Sequence, residues 1–102
     1  MKNIGQLMQQ AQQMQAKMAA LQNELGTKII EASSGGGAVK IKMNGKQELI
    51  DIKISPDCVD PSEIEMLQEL VKTAINQATT QSKDMVSSAM SKLTGGLGIP
   101  GL

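Results

Sequence analysis

The side chains able to do chemistry are few, and their types narrow what the chain can do. It has no histidine and a single cysteine, Cys58, so neither a Ser-His nor a Cys-His nucleophile can be assembled. Cys58 stands beside Asp57 and Asp60. Nearby carboxylates raise a thiol pKa rather than lower it, so Cys58 reads as an incidental thiol. One cysteine allows no internal disulfide, and without histidine no zinc site is expected. Glu63, Glu65 and Glu69 suit the amino-terminal end of a helix, where the dipole favours negative charge. That explains them more simply than a cation site does. Gly35-Gly36-Gly37 lacks the Gly-Lys-Ser/Thr of a phosphate-binding loop and leads into a strand pattern, not a helix, so it reads as a connection. Enzyme is the least supported class, and no cofactor or metal is expected.

Lysine is the chemistry that remains. The formal charge is zero, with ten basic and ten acidic residues, but the charge is unevenly spread. Residues 1–46 hold six Lys against two acids, a surplus of four positive charges, and residues 47–102 hold four Lys against eight acids, a deficit of four. Every cation is Lys. Without the planar guanidinium fork, bidentate recognition of phosphate or guanine is disfavoured, while nonspecific contact with a polyanion stays open.

The elements that position these lysines are readable from periodicity. Val39, Ile41 and Met43 alternate with Lys40, Lys42 and Asn44, and Ile50, Ile52 and Ile54 alternate with Leu49, Asp51 and Lys53. This is the two-residue period of half-buried strands. Asn44-Gly45 between them predicts a type I′ hairpin turn with positive φ at both residues. Thr27 to Ala32 suits a further strand, entered after Gly26 as a helix C-cap, so three sequential antiparallel strands are expected.

Helical patterns flank this sheet. Over residues 2–25, Ile4, Leu7, Ala11, Met14, Met18, Leu21 and Leu25 recur at alternating spacings of three and four, a heptad seam. The helix would be about 36 Å long at ~1.5 Å per residue, longer than a three-stranded sheet can cover. Part of the seam is therefore expected within the chain and part across a dimer. Its opposite face is Gln6, Gln9, Gln10, Gln12, Gln13 and Lys17. Asp60-Pro61-Ser62-Glu63 predicts the start of a second helix over 61–92, with Asp60 as N-cap. Ile64, Leu67, Leu70, Val71, Ala74, Ile75 and Ala78 give it one broad apolar face, and Met85, Val86, Ala89, Met90 and Leu93 resume that face beyond the sheet. One domain is expected over residues 1–93, with a mobile Gly/Pro-punctuated tail over 94–102. There is no aromatic residue, and there are eight Met, so self-association is an attractive further source of burial. No apolar run reaches the ~18 residues of a membrane span, and the amino terminus has no apolar signal core. The chain reads as soluble and cytoplasmic, with no membrane partner.

The order of Met/Gln-rich helix, Gly-rich turn, Val-Lys-Ile-Lys-Met-Asn-Gly-Lys, Ile-Asp-Ile-Lys-Ile-Ser-Pro, acidic helix and Leu-Thr-Gly-Gly-Leu tail resembles the YbaB/EbfC family of bacterial nucleoid-associated proteins. The resemblance covers nearly the whole chain. It implies an α+β fold with an α-β-β-β-α protomer, an intertwined homodimer whose helices project like the jaws of tweezers, and DNA binding with little or no strict sequence preference.

Charge placement supplies the candidate phosphate contacts for double-stranded DNA. They are Lys2 and Lys17 on the first helix, Lys40 and Lys42 on one strand face with Asn44, Lys46 at the turn, and Lys83 and Lys92 on the projecting second helix. The seam residues Ile4 to Leu25 are the candidate dimer interface. The competing reading is a dimeric interaction module that docks replication or repair proteins through its Met-rich helices, since Met-rich surfaces adapt to varied partners.

Overall fold

The hairpin at the centre of the sequence becomes the middle and one edge of a three-stranded antiparallel sheet. The computed structural model describes residues 3–95. In chain order they form α1 (Ile4–Thr27), β1 (Ile29–Ser34), β2 (Val39–Asn44), β3 (Leu49–Ile54) and α2 (Ile64–Gly95). The strands lie in the order β1-β2-β3. This is the expected α+β, α-β-β-β-α arrangement. Lys2 and residues 96–102, the greater part of the expected tail, lie outside the described residues.

Register fixes the two faces. Ser34, Val39 and Ile54 form one cross-strand row, Ala32, Ile41 and Ile52 the next but one, and Ile30, Met43 and Leu49 the last. These rows face α2. Val39 and Ile41 are fully buried with Ala74 and Ala78 of α2, and Ile30, Leu67, Leu70, Val71 and Ile75 pack around them. The small side chains at 74 and 78 let the helix backbone approach the sheet closely, which offsets the lack of large aromatic groups. Each buried Val or Ile contributes about 1.5–3 kcal/mol.

α2 lies over β1 and β2 and leaves β3 at the margin. Ile52 and Ile54 therefore keep 39% and 38% of their surface exposed. The expected face of Ile50, Ile52 and Ile54 is also interrupted. A β-bulge shifts the register after Lys42, so that Leu49, not Ile50, pairs with Met43. A bulge inserts one residue and reverses the alternation beyond it.

The turn after β2 is not type I′. Neither Asn44 nor Gly45 has positive φ, and the left-handed residue is Gln47, at φ 60°. Gln47 N–H donates to the Asn44 carbonyl (3.1 Å), and Asn44 N–H donates to that of Glu48 (3.1 Å). The Asn44 Oδ1 accepts from the N–H groups of Lys46 (2.9 Å) and Glu48 (3.0 Å). Gly45 is required for a different reason: a Cβ there would collide with the Leu25 carbonyl, to which Gly45 N–H donates at 3.1 Å.

The helix ends differ in detail from expectation. α1 passes through Gly26 and stops at Lys28, which is extended and whose N–H donates to Leu25. Gly26 makes room instead for Lys46, whose Cε lies 2.7 Å from where a Cβ would be. At the start of α2, Asp60 caps as expected, its carboxylate accepting from Ser62 N–H at 2.9 Å. Pro61–Glu63 form a single 3-10 turn before the α-helix begins.

Beyond the turn, α1 and the end of α2 leave the sheet together. Leu25 is buried and Met14, Met18 and Leu21 are half-buried, as are Met85, Val86, Ala89, Met90 and Leu93. From Met14 onward the heptad seam is thus partly covered within the chain. Towards its start it is bare: Ile4, Leu7 and Met8 are 52%, 62% and 60% exposed. The molecule measures 73 × 23 × 16 Å.

Candidate nucleic-acid interface

The candidate lysines among the described residues do not converge on one site. They fall into three places set by the elements that carry them. Lys40 and Lys42 project from the sheet face turned away from α2. There the rows are Ser33-Lys40-Lys53 and Glu31-Lys42-Asp51. Lys42 thus has a carboxylate on each side across the sheet, whereas Lys40 has Lys53 directly opposite. A shallow depression of about 130 Å³ on this face is lined by Glu31, Lys40, Lys42, Asp51 and Lys53. Lys53 was missed by charge placement, because only the strand register reveals it as the neighbour of Lys40.

Lys46 belongs to the junction. Its stem crosses Gly26, and with Gln22, Leu25, Gly45 and Val86 it lines a depression of about 200 Å³. Asn44, expected beside the strand lysines, is only 6% exposed and spends its side chain on the turn, its Nδ2 donating to Glu48 Oε1 at 2.8 Å.

Lys17, Lys83 and Lys92 are exposed on the projecting helices. α2 is one unbroken helix, so the step from Lys83 to Lys92 spans about two and a half turns. These two lysines therefore stand on opposite flanks. On α1, Gln6, Gln10, Gln13 and Lys17 follow one another at spacings of four, three and four and share a face. Gln6, Gln9, Gln10 and Gln13 line a depression of about 280 Å³. This amide face can donate and accept hydrogen bonds without charge.

The lysines are electrostatically available. Among the described residues only Lys72 has a carboxylate within 4.0 Å, that of Glu69, and both are well exposed. Asp60 is the carboxylate whose pKa is lowered, by the hydrogen bonds from the Ser62 backbone and then from its hydroxyl. Cys58 is half-buried and its thiol donates to the Ser55 carbonyl at 3.1 Å. No group of three or more metal-ligating side chains gathers among the described residues, and none of the described helices is long and apolar enough to cross a membrane.

Comparison with known proteins follows the same outline. The YbaB/EbfC DNA-binding family matches residues 1–97. A nucleoid-associated protein of Desulforamulus reducens is 53% identical over 98% of this chain and 95% of its own. One from Pelotomaculum thermopropionicum is 46% identical over the same shares. Among solved structures, an uncharacterized protein from Helicobacter pylori shares the fold, with a TM-score of 0.67, 22% identity, and coverage of 78% of this chain and 93% of that one.

Proposed function

The chain belongs to the YbaB/EbfC DNA-binding family, and from that premise we propose that it is a nucleoid-associated protein that binds duplex DNA as a homodimer through lysine–phosphate contacts, without reading sequence. The observation that carries the reading is the set of exposed lysines with no carboxylate partner among the described residues: Lys17, Lys28, Lys40, Lys46, Lys53, Lys83 and Lys92. With zero net charge the protein has no general attraction for a polyanion, so these local charges must supply it. Lacking arginine and aromatic side chains, it has few means of reading base edges or stacking bases, which favours sequence-independent binding.

Two observations support self-association. The chain exposes 7286 Å², against about 5,500 Å² for a folded monomer of this mass. The surplus is about 1,800 Å² per chain, or roughly 3,600 Å² for two, within the ~2,000–5,000 Å² that an obligate homodimer buries from both partners together. Exposed apolar groups also include two runs, Ile4, Leu7 and Met8 on α1 and Leu49, Ile50, Ile52 and Ile54 on β3, besides Ile29, Val59, Ile64 and Met66. Light scattering at micromolar concentration, followed by retention of unrelated duplexes on gels, tests both parts. The expected result is twice the chain mass and similar retention for every duplex. A monomer overturns the first part, and retention of no duplex at low salt favours docking of proteins instead.

A further inference from the structure

Like charges directly opposite each other on neighbouring strands destabilise a sheet. Lys40 and Lys53 are such a pair. Both are exposed, and neither has a carboxylate within 4.0 Å. The rest of their row is Ser33, whose hydroxyl adds a neutral donor on β1. The glycine turn adjoins this row: Gly37 lies against Lys40, with its Cβ position 3.8 Å from the lysine Cε. Gly35, Gly36 and Gly37 all have positive φ, at 61°, 67° and 95°, so the chain beside the lysines presents bare backbone with no side chain to obstruct a ligand. The next row, Glu31-Lys42-Asp51, carries one net negative charge at the far side of the same depression. An anion is thus drawn to the glycine-turn side of the face and kept off the other.

This corner is far from the projecting helices. Ser34 Oγ donates to the Leu70 carbonyl (2.6 Å) at the glycine-turn end of the sheet, and Ser82 Oγ donates to the Asn44 carbonyl (2.6 Å) at the other. α2 therefore runs the length of the sheet before continuing into the arm. Lys92 lies about 15 Å beyond Ser82 at ~1.5 Å per residue. Lys40 lies about 13 Å behind Asn44 at ~3.3 Å per residue, on the face turned away from α2.

Resting on the DNA-binding reading above, we propose that Lys40, Lys53 and Ser33 beside the glycine turn form a phosphodiester-binding site of their own, separate from the helical arms, so that one assembly joins two duplexes. Phosphate at this corner neutralises the Lys40–Lys53 repulsion.

The test uses the full chain. A duplex is fixed to beads and loaded with protein, and capture of a second, labelled duplex of unrelated sequence is measured across salt concentrations. Wild type holds both. Lys40→Gln with Lys53→Gln, loaded at whatever concentration gives the wild-type occupancy of the bead-bound duplex, captures the second roughly tenfold less, with a salt slope for that capture flatter by about 2, one unit per lost lysine contact. Lys40→Arg with Lys53→Arg restores capture. Undiminished capture by the Gln pair overturns the proposal, as does a wild type that occupies the first duplex and takes no second. Protein that never occupies the first duplex instead sinks the DNA-binding reading, and this proposal with it. A melting temperature of the Gln pair at or above that of wild type, as relief of the Lys40–Lys53 repulsion requires, separates each outcome from unfolding.

Discussion

The two ends of this molecule use one apolar vocabulary with different results. Over the sheet, Val39 and Ile41 meet Ala74 and Ala78 and are fully buried. Along the arms, the seam begun at Leu25 is partly covered as far as Met14 and then opens, until Leu7 and Met8 are about 60% exposed. The helix propensities are good in both places. What differs is whether an opposing surface exists in the same chain. A helix stripe becomes a core only where something is placed against it, so β1 and β2 form a core with α2, whereas β3 at the sheet margin and the start of α1 stay exposed.

A substitution in each half breaks this contrast most sharply. Ile41→Ala should cost about 2–5 kcal/mol, the range for emptying a packed site, and calorimetry should record a fall of many degrees. Leu7→Lys should leave helix content and the sheet intact yet dissociate the assembly in light scattering, since a charge placed in a dimer seam is left unpaired. Met14 and Leu21 are poorer probes, because each is already half-buried within its own chain. If Leu7→Lys leaves the mass unchanged, the bare seam is not the interface.

The junction joins the halves, and Ser82 is its pin. Its hydroxyl has no exposed surface. It donates to the Asn44 carbonyl at 2.6 Å and accepts from Gln47 Nε2 at 2.9 Å. Ser82→Ala removes one of the two donors to the Asn44 carbonyl, which keeps Gln47 N–H, and should cost about 0.5–1.5 kcal/mol. Hydrogen exchange should quicken first at the Asn44–Glu48 loop. Loss confined to the far end of the sheet would mean the junction does not couple the halves.

The smallest effect belongs to the start of α2. The Ser62 donors hold the Asp60 pKa below the ordinary aspartate range. A carboxylate with a depressed folded pKa adds stability that is present above its unfolded pKa and lost as pH falls through the folded one. Asp60→Ala should therefore lower the melting temperature slightly at neutral pH, and the gap from wild type should close on acidification into and below the aspartate range. A gap independent of pH would show that the cap acts through something other than its charge.

Much of this was legible because it is local. The alternation at 39–43, the Asp60-Pro61 start and the helical period from Ile4 to Leu25 depend on spacing alone, and the structure has the strand, the cap and the helix there. The misreadings arise from distant contacts. Asn44-Gly45 has the composition of a type I′ turn, yet Gly45 serves a helix carbonyl twenty residues back and the left-handed residue is Gln47. Gly26 reads as a C-cap, yet it clears a path for Lys46. The bulge that removes Ile50 from the ladder has no signature in the alternation. Lysine placement was legible only by element. That Lys40 faces Lys53, and that Lys83 and Lys92 stand on opposite flanks, follows from register and from an unbroken helix.

The central claim is that unpaired lysines on a neutral chain grip the DNA backbone, and salt titration tests it most directly. The affinity of the wild-type assembly for a duplex, plotted as log K against log salt, should fall on a straight line with a slope of about −0.9 per phosphate contacted. The line should be nearly the same for unrelated sequences. Replacing Lys17, Lys83 and Lys92 by Gln should flatten it by about one unit per lysine that touches phosphate. A slope near zero, or lines that separate strongly with sequence, would contradict the account.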